Sequence, residues 1–272
     1  MDDSISGTTA ITAGFHFGRL TVCNVGDSRA VMGHRLYGGE EQEEIAQESG
    51  LSAEVGKLVA IPLSKDQTPY RADERERLKK AGSAIMTVDQ MEGRVPATDE
   101  NWDHVNLGEE IDLSGDPPRV WAKGCNFPGC AFTRSLGDLI ADRIGVYAEP
   151  EILTTEVTKN DEILVIASDG IFEFLTSQNA IDICAKCESP SEACERLVKA
   201  SYSQWLHFED RTDDITVIVC FLECDSETET AKGTTKELVE LNYSTSAYTT
   251  RKIGRKTDGR NLSLFIPEDG AA

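Results

Sequence analysis

The chain has 272 residues, 39% of them hydrophobic, and carries 48 acidic against 27 basic side chains for a formal charge of -21 at pH 7. That length and apolar content can bury a sizeable core in one large domain or two small ones, while the charge argues against electrostatic binding to nucleic acid or to an anionic membrane surface. The longest apolar runs, ILVIA from 163 and VIVCFL from 217, are far shorter than a bilayer span requires.

The N-terminal residues, MDDSISGTTA, lack the positive n-region and apolar h-region of a secretory signal, so a cytoplasmic or nuclear location is expected. Eight cysteines are too dilute for a disulfide scaffold, and free thiols are expected. Cys184 and Cys187 form a C-x-x-C in a helical stretch with no second pair at zinc-finger spacing, and Cys23, Cys194 and Cys220 read as small core residues.

From 8 to 33, apolar and polar residues alternate with breaks at Gly18 and Gly26, predicting a meander of three strands. The acidic, glycine-punctuated stretch 38–56 reads as a solvated insertion. A strand over KLVAIPL is followed by a short exposed helix over ADERERLKKAG, whose last glycine stands where a C-cap would. Residues 86–130 are rich in Gly, Pro and Asp with little periodicity, and read as a long loop of the functional or disordered kind.

Farther on, ILVIASDGIFEFL, at 163–175, is a strand that ends at an Asp-Gly turn and then resumes an apolar run around Glu173. A carboxylate between Phe172 and Phe174 should be stripped of water, and then needs a partner, a proton or a metal. SQNAIDICAKC and SEACERLVKASYSQWL each open on a serine N-cap and show helical apolar spacing, so they should pack on a sheet. A last strand, DITVIVCFL, precedes a tail, 225–272, that lacks a packing pattern; it reads as flexible, with its basic RKIGRK run an unstructured end. Strands in runs followed by helices indicate an α+β fold with antiparallel sheets.

Acidic residues recur at strand ends and turns: Asp27, Asp138, Asp169, Glu173, Asp213 and Asp214. Taken singly, each reads better as a turn residue or cap; together they form a set of hard oxygen donors suited to magnesium, manganese or calcium. Other chemistries fit less well. The arginine after Cys130 comes only four residues on, GDSRA lacks the second glycine of a nucleophile elbow, and there is no phosphate-binding G-x-x-x-x-G-K-[ST].

In order, SGTTA, NVGDSRAVM, DERERLKKAG, PPRVWAKGCNFPGCAFTRSLGD, GVYAEPEI, ILVIASDGIFEFL and DRTDDITVIVCFL resemble the successive motifs of the metal-dependent type 2C serine/threonine protein phosphatases, over about residues 6–222. The resemblance implies a four-layer αββα sandwich of two antiparallel sheets flanked by helices. It also implies a binuclear Mg2+ or Mn2+ centre and phosphoserine or phosphothreonine protein substrates, with the chain a monomer. Asp169 and Asp213 would be ligands of the two-metal centre. Asp27 and Glu173 would serve a third, weaker metal site, where the family more often has aspartate in place of Glu173. Asp214 departs from the family's usual asparagine and adds negative charge, and residues 86–124 correspond to the flap beside the cleft.

The family's domain begins with strands carrying an arginine and an acidic pair, then an Asp-Gly-His motif whose aspartate bridges the metals, and no such motif occurs in this sequence. The expectation is therefore of the C-terminal portion of a phosphatase domain over 1–224, with N-terminal strands missing. No catalytic arginine or histidine is identified. Alone, the chain is expected to be weakly active or inactive, the alternative being an inactive module that binds phosphoproteins or regulators.

Overall fold

The computed structural model describes residues 3–37, 56–97, 115–224, single positions and short pieces between 102 and 111, and two strands at 249–253 and 260–266. In chain order these give β1 Gly7–Thr8, β2 Ala10–His16, β3 Arg19–Val25, β4 Arg29–Arg35, β5 Leu58–Pro62, α1 Ala72–Ala81, β6 Ser83–Met86, α2 Val88–Met91, β7 Arg119–Ala122 and β8 Pro128–Cys130. There follow β9 Leu136–Gly137, α3 Leu139–Asp142, β10 Glu151–Glu156, β11 Asp161–Ala167, α4 Asp169–Phe172, α5 Ser177–Cys184, α6 Pro190–Phe208, β12 Val217–Cys224, β13 Thr249–Ile253 and β14 Arg260–Ile266. Most of the acidic stretch 38–56 lies outside the described residues.

β2 and β3 form a hairpin whose two central residues, Phe17 and Gly18, both have positive φ, the geometry that matches a tight turn to strand twist. β10 pairs along the other side of β3, giving a three-stranded sheet. The expected meander breaks at Gly26, because β4 does not pair with β3. The chain turns a corner there and enters a second antiparallel sheet of order β13-β14-β12-β11-β4-β5. Periodicity reveals strands but not which neighbour each one takes, and the corner was read as another hairpin turn.

Alternation along β4 explains how the sheets stack. Ala30 and Met32 face the smaller sheet and pack with Leu20, Val22, Leu164 and Cys220. Val31 faces the other way, joining Ile163, Val165 and Val219 against Ile181 and Cys184 of α5 and Ala193, Cys194 and Leu197 of α6. Each such aliphatic side chain, fully buried, contributes about 1.5–3 kcal/mol. The α+β class and the stacked antiparallel sheets are as expected, with α5 and α6 flanking the larger sheet. On the smaller sheet's outer face Ile152 is 64% exposed.

Helix boundaries follow capping chemistry. Gly82 closes α1 in the left-handed region, as expected. The caps of α5 and α6 are Thr176 and Ser189, not the serines expected, and each accepts the backbone N–H of the third residue of its helix, Asn179 and Glu192. The stretch read as a loop over 86–130 holds α2, β7 and β8, with β6-β7-β8 forming a small sheet. Its core of Leu78, Ile85, Val120, Ala141 and Val146 comes from distant segments, a pairing that no local pattern shows. Of the tail, the structure describes β13 and β14 beside β12; the RKIGRK run begins in β13 and continues outside the described residues.

Candidate metal centre

The corner between the sheets carries Asp27. Gly26 holds φ 101, and a Cβ there would lie 2.4 Å from Thr9 Cγ2, so only glycine fits. Its N–H donates to Gln67 Oε1 at 2.6 Å, and its carbonyl accepts from Gln67 N at 3.0 Å and Asn24 Nδ2 at 3.0 Å. Gln67 is fully buried and also donates to the Asn24 carbonyl, so one side chain pins the whole corner.

Arg29 opens β4 two residues later. Its guanidinium grips Asp66 in a two-pronged pair, donates toward Ser177 Oγ and lies 4.5 Å from the centroid of the Phe172 ring. Asp66 therefore stands beside the corner, compensated by one arginine.

β11 ends at Ala167, Ser168 is the N-cap, and Asp169 starts the one-turn α4, so the Asp-Gly expected as a turn is a helix start. Asp169 Oδ1 accepts from Gly170 N at 2.8 Å. The segment before β12 is laced to this end of β11: Ser168 N donates to the Thr216 carbonyl, Ser168 Oγ to the Asp214 carbonyl, and Thr216 N to Ser168 Oγ. That lacing sets Asp213 and Asp214 beside the Asp169 turn, with Asp213 Oδ1 accepting from Asp214 N at 2.7 Å.

The electrostatics show that these carboxylates share one field. The Asp27 pKa is pushed up to about 8, by burial first and then by Asp169, Asp66 and Glu173. Asp169 is also pushed up, by burial and then by Asp213 and Asp66. Like charges that raise one another's pKa favour protonation or a cation. Carboxylate oxygens that act on one another in this way are the donor type a hard divalent cation takes.

Of the remaining sequence candidates, Glu173 contributes to that field but is exposed, while Phe172 and Phe174 on either side are buried. Its expected burial is therefore corrected. Successive residues on a helical turn point about 100° apart, so two buried neighbours do not bury the residue between them. Asp214 is exposed and turns its carbonyl to Ser168. Asp138 caps α3 with φ 50, accepts from Ser135 Oγ at 2.8 Å and lies against Gly7, a structural junction.

Among the described residues, the acidic group whose ligand atoms all lie within 4.8 Å of one another is a different one, Asp73, Glu74 and Glu151. Arginines answer it: Arg71 binds Asp73 and Glu151, and Arg77 and Arg134 bind Glu74. This network ties α1 to β10. Asp66 and Gln67 were missed in the sequence, although LSKDQ directly follows β5 and a carboxylate just past a strand end was the signal.

The chain's residues 1–205 match the model of the family described as Protein phosphatase 2C. "Probable protein phosphatase 2C 35" of Arabidopsis thaliana is 42% identical over 219 residues, covering 80% of this chain and 56% of that protein. "Probable protein phosphatase 2C 64" of Oryza sativa subsp. japonica is 31% identical over 225 residues, covering 82% and 44%. The chain thus spans about half the length of these curated relatives. Among solved structures, the serine-threonine phosphatase 2C from Toxoplasma gondii superposes with a TM-score of 0.55 at 17% identity, over 79% of this chain and 58% of that one, a likeness of fold.

Proposed function

The chain belongs to the protein phosphatase 2C family, and from that premise we propose that it serves the metal-dependent hydrolysis of phosphoserine and phosphothreonine in proteins. The observation that supports this reading is the mutual influence of the acidic groups: beside burial, Asp169, Asp66 and Glu173 raise Asp27 to about 8, and Asp213 and Asp66 raise Asp169. In this reading Asp169 and Asp213 hold the ions of a Mg2+ or Mn2+ pair, and Asp27 and Glu173 serve a third, outer ion. When bound, such ions supply Lewis acidity, polarising a phosphoryl oxygen and making water a competent nucleophile near neutral pH.

The chain's own residues supply the frame. Gln67 fixes the corner that presents Asp27, and the Ser168 lacing sets the Asp213 segment against Asp169. Arg29 is committed to Asp66, Ser177 and the Phe172 ring, so its task is to hold Asp66 rather than to bind the phosphoryl group.

A second reading is favoured by one observation: the sequence contains no Asp-Gly-His. Without the aspartate that the family resemblance places in that motif, water and phosphorus would be less well oriented, and orientation supplies about 7–11 kcal/mol in well-placed reactions. We therefore propose that the chain alone turns over slowly or only binds phosphoproteins.

Phosphate release from a phosphothreonine peptide, measured by malachite green with Mn2+, separates the two readings. Slow release that EDTA and Asp169→Asn both abolish supports the phosphatase reading. Peptide binding without release, unchanged by EDTA, supports the binding module.

A further inference from the structure

The one-turn helix α4 leaves the Gly170 carbonyl without a partner in its own element, as the last carbonyls of any helix are left. α6 fills the gap twice. Ser201 Oγ donates to Gly170 O at 2.5 Å and Trp205 Nε1 donates to the same atom at 2.7 Å. Ser201 is fully buried, and Trp205 stands edge-on to Phe174 with centroids 4.8 Å apart. On its other sides Gly170 gives its N–H to Asp169 Oδ1, and its Cα lies so close to the Asp214 carbonyl that a Cβ would come within 2.2 Å of that oxygen.

We infer that Trp205, together with Ser201, is a positioning residue for Asp169: the two α6 donors fix Gly170, and Gly170 in turn fixes the Asp169 carboxylate and seats it against the Asp213–Asp214 segment. The inference rests on the proposed metal site. Its logic is that of groups behind a ligand, which set the ligand's orientation without touching the ion. Two donors on one carbonyl from a 19-residue helix make that orientation insensitive to fraying of the short α4.

The test uses the full chain stripped of metal and titrated with Mn2+ alone, free Mn2+ being read by electron paramagnetic resonance. Trp205→Phe keeps an aromatic ring beside Phe174 and removes the N–H; Ser201→Ala removes the second donor and serves where the first variant folds poorly. The expected result is roughly 10-fold weaker Mn2+ binding for either variant, and a larger loss for the two together. The metal-free thermal midpoint should move by only a few degrees, of order 2–4 °C. Unchanged Mn2+ affinity alongside a lowered midpoint would make both residues merely structural and overturn the inference, while leaving the metal site intact. A wild-type chain that binds no Mn2+ would overturn the metal site itself, and the inference with it.

Discussion

Arg29 and Asp66 form a two-pronged ion pair, Nε to Oδ1 at 3.0 Å and Nη2 to Oδ2 at 2.6 Å, with side chains only 4% and 8% exposed. Removing one partner of such a pair strands a buried charge, at a cost of about 3–5 kcal/mol. Arg29→Met should lower unfolding free energy by that amount in urea titrations. Arg29→Met with Asp66→Leu should cost well below the sum of the two single changes, because the double variant strands no charge. A loss under about 1 kcal/mol for Arg29→Met would show that Asp66 is solvated after all.

Glu74 sets an acid limit on stability. Burial raises its pKa, but hydrogen bonds from Arg134, Arg77 and Thr133 outweigh burial and bring it down to about 2. A carboxylate depressed in the fold stabilises above its unfolded pKa and loses that contribution as pH falls through the folded value. The contribution should be whole above about pH 4.5 and fade toward pH 2, with a size of about 3 kcal/mol. Urea midpoints measured from pH 7 to pH 3 should fall steeply for the wild type and more gently for Glu74→Gln, which starts lower.

Two glycines should respond oppositely to alanine. At Gly170 a Cβ would meet the Asp214 carbonyl, and backbone cannot step aside as a side chain can, so Gly170→Ala should cost more than about 2 kcal/mol. At Gly14, in exposed β2, a Cβ meets nothing within 4 Å, and Gly14→Ala should be neutral or stabilising by a few tenths of a kcal/mol. Thermal denaturation of both variants checks the contrast, and equal behaviour would contradict it.

Asp27 predicts a conflict between stability and function. Its raised pKa means that the fold opposes its charge, so in EDTA stability should decline as pH rises from about 4 toward 8 and level off beyond. Asp27→Asn should remove that decline and raise the metal-free midpoint at pH 8. A midpoint lower than that of wild type would show that the charge is compensated within the protein.

Much of the fold was legible because its signals are local. The β2–β3 hairpin, α1 with its glycine cap, and the strand ending before Asp169 each follow from a few adjacent residues. What stayed hidden depends on partners far along the chain. The corner at Gly26 looks like a hairpin until β4 is seen to pair with β11, and the β6-β7-β8 sheet joins short pieces without internal periodicity. The site divides the same way. Asp27, Asp169 and Asp213 stood out at strand ends, whereas Asp66 became visible only through the arginine it holds, and the burial expected for Glu173 failed because flanking aromatics say nothing about direction on a helical turn. Trp205 and Ser201 read as ordinary helix residues, since a donor aimed at a carbonyl on another helix leaves no mark on its own segment.

The most direct test of the account is an Mn2+ titration of the metal-free chain by isothermal calorimetry, with Asp169→Asn measured beside it. The account predicts binding by the wild type and a loss of roughly 100-fold or more in Asp169→Asn, at or beyond the upper end for changes behind a ligand. Equal Mn2+ affinity in the two proteins would contradict it.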